Sequence, residues 1–194
     1  MLDADRRDLV SLAEAAIRSG LERQPLRSLT APTSAALTAL GATFVTLERD
    51  SRLLGCIGTV EAVRPLYEDL MQNAYRSAFA DPRLPAITGD DYEAMSLKVS
   101  VLSRLSRLAV FSRDEFLSTV RPDVDGVLVS CGRHRSTFLP SVWPKVASPD
   151  EFVTLLLRKA GLPAFGWPPG LSVWRYETEE FGSPGPRDRV TINP

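Results

Sequence analysis

The amino-acid sequence predicts an α+β fold, a mainly antiparallel sheet flanked by helices. Two hairpin patterns, at 42–60 and 125–140, supply the strands, and capped helical patterns lie irregularly around them. No regular strand–helix–strand alternation links these segments, which argues against a parallel sheet. At 194 residues the chain is long enough to bury a core that needs no disulfide or metal to hold it.

Residues 4–19 read as a helix, with Leu9, Leu12, Ala13, Ala16 and Ile17 on one stripe, Asp3 placed to cap it and Gly20 to stop it. Two runs rich in β-branched and apolar residues, 42–48 and 52–60, are joined by the turn-prone Asp50-Ser51 as a hairpin. Pro65, at a first helical position, opens a helix in which Leu66, Leu70, Ala74 and Ala78 recur every four residues; Asp81-Pro82 closes it. Leu97, Val99 and Val101 then alternate with Ser96, Lys98 and Ser100, the pattern of a half-buried strand. Ser112 and Glu115 form the capping box of a short helix. In "DGVLVSCGRHRSTFLP" a tight turn holding Gly132, Arg133, His134 and Arg135 separates two strands. The clearest local signal is "SPDEFVTLLLRKAG": Ser148 as cap, Pro149 at the first helical position, Glu151 completing the box and Gly161 as stop. Residues 171–176 form a last strand, and the Gly- and Pro-rich composition of 182–194 predicts a flexible tail.

Composition narrows the function classes. A formal net charge of -1 provides no global field for nucleic acid or an anionic membrane. The N-terminal stretch lacks the apolar core of a signal peptide, and no run approaches the roughly 18 apolar residues that span a bilayer. The expectation is a soluble cytoplasmic protein with Cys56 and Cys131 reduced. His134 is the sole histidine, so no site with two imidazoles can form within one chain, and no metal is expected from this chain alone.

Four stretches, taken together, resemble one family. They are "FVTLERDSRLLGCIGTVEAVRPL", "NAYRSAFADPRLPAI", "LKVSVLS", and "DGVLVSCGRHRSTFLPSVW" followed by "EFVTLLLRKAGLP". In this order and spacing, from about residue 42 to 176, they resemble the AMMECR-type domain, whose bacterial members include the A component of the AmmeMemoRadiSam system. The resemblance implies one domain over 1–181, with a larger and a smaller part, and partners of the Memo-like and radical SAM kinds. It implies no defined reaction, and it leaves the cofactor unknown. The family's most constant stretch reads LRGCIG and aligns with "LLGCIG" at 53–58, so Leu54 stands where the family has arginine. Ser136 stands where many relatives have glycine.

In a regular strand, residues 52, 54, 56 and 58 share a face, which would put the family's arginine about 7 Å from the cysteine side chain. Cys56 then reads either as a reactive thiol, activated by a nearby cation or base, or as a small residue between glycines that allow close backbone approach. Arg52 is on the same nominal face as a substitute cation. Gly55 and Gly58 are candidates for ligand contact, although no lysine and no helix follows them as in a phosphate loop. Arg83 of "DPR" and the turn residues Arg133 and Arg135 are candidates to hold an anionic group, and His134 to act as a base. The structural alternatives are a helix exit fixed by Asp81 and Arg83, and a solvated hairpin tip. Phe165 and Trp167 in "FGWPPG" read as an anchor for another protein or as a loop folded on its own core.

Two functions follow. One is an accessory component that binds a ligand or partner in a cleft beside the Cys56 strand. The other is an enzyme using Cys56 on an anionic small molecule or a macromolecular substrate.

Overall fold

The computed structural model describes residues 1–26, 31–188 and 190. In chain order the elements are α1 (Asp3–Leu21), α2 (Ala35–Thr38), β1 (Leu40–Gly41), β2 (Thr43–Arg49), β3 (Arg52–Gly58), β4 (Arg64–Pro65), α3 (Leu66–Phe79), α4 (Gly89–Ala94) and β5 (Ser96–Leu102). There follow β6 (Ser106–Leu108), α5 (Arg113–Thr119), β7 (Gly126–Cys131), β8 (His134–Phe138), a 3-10 turn (Pro140–Lys145), α6 (Pro149–Lys159), β9 (Ser172–Tyr176) and β10 (Thr178–Ser183). The chain forms two compact units, Met1–Leu102 with Glu179–Pro194, and Ser103–Thr178.

In the first unit the strand order is β10-β5-β2-β3, with β2 antiparallel to both its sequence neighbour β3 and to β5. Asp50 and Ser51 both adopt positive φ, 50° and 62°, the backbone of a two-residue hairpin turn whose twist suits the strands. Val45, Leu47, Leu97 and Val99 point from one face of this sheet into a core shared with Leu9, Ala13, Ile17, Leu70 and Ala74 of α1 and α3. Burying each large aliphatic side chain stabilises the unit by about 2 kcal/mol before chain entropy is counted.

Three local expectations need correction. Leu2, without a side-chain bond, precedes α1; Asp3 lies inside the first turn, where its carboxylate meets Arg6 Nη1 at 2.9 Å and the positive helix end. Gly20 does not stop α1 but lies within it, where a Cβ would come 2.2 Å from the Phe79 ring of α3. Pro65 is the residue before α3 rather than its first.

The chain from 182 onward is also not simply a tail. β10 runs through Ser183 beside β5, with Glu180 accepting from Ser100 Oγ at 2.9 Å and pairing with Lys98 at 3.3 Å. Arg187 then bonds Glu14 at 2.8 Å and the Met95 carbonyl, and Val190 is buried in the core. Composition reports none of this, since the order comes from strand pairing and one anchored guanidinium. The rest of the expected tail, residues 189 and 191–194, lies outside the described residues.

The second unit has the strand order β6-β9-β7-β8, antiparallel at every pairing. Val127, Val129 and Val173 pack with Phe116 of α5, Phe152 and Leu156 of α6, and Trp143. Trp143 stacks on Phe152, centroids 3.7 Å apart, and donates Nε1–H to the Asp125 carbonyl at 2.7 Å. Both predicted serine caps form, Ser112 accepting from Glu115 N and Ser148 from Glu151 N.

At Gly55 a Cβ would lie 1.8 Å from the Ser77 carbonyl oxygen of α3. Backbone cannot yield as a flexible side chain does. Gly55→Ala is therefore expected to lower the unfolding free energy by about 3 kcal/mol in urea denaturation; an unchanged midpoint would show that α3 moves away freely.

Candidate functional site

Helix α3 carries a polar stripe beside its apolar one. Asp69, Asn73 and Ser77 recur every four residues, so they share a helix face, and Asp81 follows at the same interval just past the helix end. The first three are 1% exposed and Asp81 is 5% exposed. Each meets a backbone group of β2 or β3. Asp69 accepts from Thr43 N and Thr43 Oγ1, both at 2.8 Å, and from Thr59 Oγ1 at 2.7 Å. Asn73 Nδ2 donates to the Thr43 carbonyl at 3.1 Å. The Ser77 hydroxyl accepts from Ile57 N and donates to the Val45 carbonyl, each at 2.9 Å, bridging the two strands. Asp81 Oδ2 accepts from Cys56 N at 3.0 Å. The leucine and alanine stripe of α3 predicts the helix but not this polar one, whose signal in the sequence is the spacing 69, 73, 77, 81.

Arg83 completes a clamp on Cys56. Its Nε donates to Asp81 Oδ1 at 2.9 Å and its Nη2 to Asp81 Oδ2 at 2.7 Å, while the same Nη2 reaches the Cys56 carbonyl at 3.0 Å. Both backbone polar groups of Cys56 on the outer edge of β3 are thereby bound. The Arg83 guanidinium holds the Asp81 carboxyl well below the usual carboxylate range, against the opposing effect of burial and with help from the Cys56 and Arg83 N–H groups. Cys56 itself is half-buried, its Sγ 3.4 Å from Thr46 Oγ1.

The strand is not regular at Leu54. Gly55 pairs with Leu47 but Leu53 pairs with Glu48, so Leu54 is the extra residue of a β-bulge. Directly opposed residues of an antiparallel pair share a face. Cys56 opposes Thr46 on the face away from the helices, whereas Leu54 is 5% exposed in the core cluster with Leu47. Arg52 opposes Arg49, whose parity is that of Leu47. The period-two expectation that 52, 54 and 56 share a face therefore fails, and neither Arg52 nor a residue at 54 sits beside the sulfur.

Gly58 lies under the Phe44 ring, 2.2 Å from where a Cβ would be, and Gly55 backs onto α3 as described. Packing accounts for both glycines. Where the first half of β3 leaves the clamp, a cleft of about 310 Å³ opens, lined by Arg52, Leu53, Leu54, Leu84, Ile87 and Asp91 among others. Asp91 caps α4 and pairs with Arg49 at 3.2 Å, so Arg52 is the exposed charge at the cleft.

The other candidates belong to the second unit. Only Gly132 and Arg133 form the turn; His134 pairs with Cys131, so His134 and Arg135 begin β8 and point to opposite faces. The expected cluster of three charges on one turn is thus split. His134 Nδ1–H donates to the Ala160 carbonyl at 3.0 Å, and Ser136 Oγ to the Leu156 carbonyl at 2.8 Å, both on the last turns of α6. Lys159 Nζ returns to the Thr137 carbonyl at 2.9 Å. These bonds fasten α6 to β8. Among the described residues no three His, Cys, Asp or Glu side chains are grouped as a metal site would need, and no helix is long and apolar enough to cross a membrane.

The class these features define is a two-unit α+β protein with an edge strand clamped by a buried aspartate and an arginine. The chain belongs to the AMMECR1 family, whose model matches residues 10–181. It is 36% identical over 146 residues to a protein of Methanothermobacter thermautotrophicus, covering 73% of this chain and 75% of that one. It is 30% identical over 198 residues to a protein of Thermofilum pendens, covering 94% and 91%. The crystal structure of an uncharacterized protein from Pyrococcus horikoshii superposes with a TM-score of 0.87 at 27% identity, covering 100% of this chain and 98% of that one.

Because its folded-state value is lowered, the Asp81 carboxylate stabilises the fold fully above the unfolded value of about 3.9, and that contribution is lost as pH falls through the lower folded value. Asp81→Asn is expected to destabilise by about 2 kcal/mol near neutrality. The gap between variant and parent should narrow on acidification below about pH 4 in urea titrations; a gap independent of pH would refute the ionic clamp.

Proposed function

We propose that this chain is a cytoplasmic accessory component of a Memo/radical SAM-associated modification system, and that it binds a ligand or partner in the cleft beside β3. The observation that carries this reading is the division of labour along β3. Its second half is immobilised by Asp81, Arg83 and Ser77, while its first half lines an open cleft with one exposed guanidinium. A rigid strand next to a partly apolar cleft is the arrangement of a preformed binding site. The two half-buried free thiols suit a reducing compartment.

Leu54 sharpens the choice of occupant. It lines the cleft, so the one departure from the LRGCIG pattern replaces a cation by apolar surface at the binding site itself. An occupant with apolar groups and a single anionic or hydrogen-bonding group facing Arg52 fits this better than a multiply charged one.

Titration of the chain against a Memo-like protein and a radical SAM protein tests the reading by calorimetry. Arg52→Glu is expected to weaken binding by about tenfold, and Cys56→Ser to leave it within about twofold. Absence of binding to either protein would reject the partner reading; binding lost in Cys56→Ser but kept in Arg52→Glu would reject the cleft and favour the thiol.

A further inference from the structure

Two large aromatic side chains of the second unit stand nearly bare: Phe111 is 81% exposed and Phe165 is 80% exposed. They come from different loops fastened to one arginine. Arg113, two residues after Phe111, donates through Nε to Asp150 Oδ1 at 2.6 Å and through Nη2 to the Asp150 carbonyl at 2.8 Å. Its Nη1 reaches the carbonyl of Ala164, the neighbour of Phe165, at 3.2 Å. Trp167 fixes the same loop from within, its ring 5.9 Å from Phe116 and packed against the core. Phe165 is therefore displayed on an anchored loop, and covering it does not also have to order that loop's backbone.

The helix starts tied to these loops are acidic. Arg113 brings the first turns of α5 and α6 together, and these carry Asp114, Glu115, Asp150 and Glu151. Capping explains part of this: Glu115 accepts from Phe111 N at 2.7 Å and Glu151 from Ala147 N at 2.6 Å, while Asp150 pairs with Arg113. Capping does not explain two exposed phenylalanines. Single exposed apolar residues are ordinary, but two exposed aromatic rings on loops tied to one arginine, which also joins two carboxylate-rich helix starts, have the composition of an interface.

We propose that Phe111 and Phe165 form a docking surface for a protein partner that offers an apolar pocket bordered by lysine or arginine. The rings supply the anchors; the carboxylates set orientation and speed the encounter. A second copy meeting the same face would set carboxylates against carboxylates, and nucleic acid would be repelled. This surface belongs to the second unit and shares no residue with the cleft beside β3.

The test pans a phage-displayed library of random dodecapeptides on the intact chain and titrates the most enriched peptide against variants. Enriched peptides should combine lysine or arginine with large apolar residues. The double variant Phe111→Ser with Phe165→Ser should lose at least about tenfold in affinity while melting like the parent, since both rings are exposed. Asp114→Asn should bind less tightly and with shallower salt dependence. Arg52→Glu, which alters the separate cleft beside β3, should leave the affinity for this peptide as in the parent. Enrichment of acidic peptides, no enrichment, or undiminished binding to the double variant would overturn the proposal. Binding lost in Arg52→Glu and kept in the double variant would move the peptide to the cleft, overturning this surface and leaving the other reading intact.

Discussion

The backbone of α3 approaches β3 so closely at Ser77 that the facing strand position can hold only glycine. Much of the first unit follows from that approach. A helix this near a sheet cannot interpose a full layer of side chains, so its buried face must satisfy strand backbone directly. Asp69, Asn73 and Ser77 do so, and the Ser77 hydroxyl takes one bond from each side of the β2–β3 ladder. An unpaired buried amide or carbonyl would cost about 1–3 kcal/mol, so the stripe stands or falls as a set. The buried charge of Asp69 is supported in turn by Arg64 at 3.5 Å.

Asp81 extends the same logic past the helix end, where Arg83 can reach out of the core. The carboxylate organises both the turn and the edge strand: it accepts from Cys56 N and Arg83 N and holds the guanidinium that binds the Cys56 carbonyl. An edge strand with its outward groups engaged is also closed to pairing with another chain at that point. The residues around Cys56 are thus explained by positioning, and the chemical interest of β3 moves to its first half, where the bulge turns Leu54 inward and leaves Arg52 at the cleft.

Much of the fold was legible in the sequence because the relevant physics is local. Ser112 and Ser148 announce their helices by hydrogen bonds spanning three residues, and Asp50-Ser51 announces its turn by backbone conformation alone. The alternation at Leu97, Val99 and Val101 has its expected inner face. What escaped reading depends on distant partners. The bulge at Leu54 exists because β2 and β3 slip by one residue, which neither strand declares alone. Gly20 looked like a helix stop because its reason is Phe79, in another helix. His134 looked like a candidate base, yet its Nδ1 proton is committed to a helix end 26 residues away. The Asp69, Asn73 and Ser77 stripe is present as spacing, but burial of polar groups is decided by what they meet, which spacing does not carry.

The first unit is discontinuous, and this bears on how the chain is made. Its sheet is finished by β10, which follows the whole of the second unit in sequence. During synthesis β5 must wait as an open edge while residues 103–178 are added, roughly 4 to 15 s at ordinary rates of elongation. The contiguous second unit can close in that interval, whereas the first retains an unpaired strand. A chain interrupted near its end would carry one finished unit and one with a strand edge exposed to other chains.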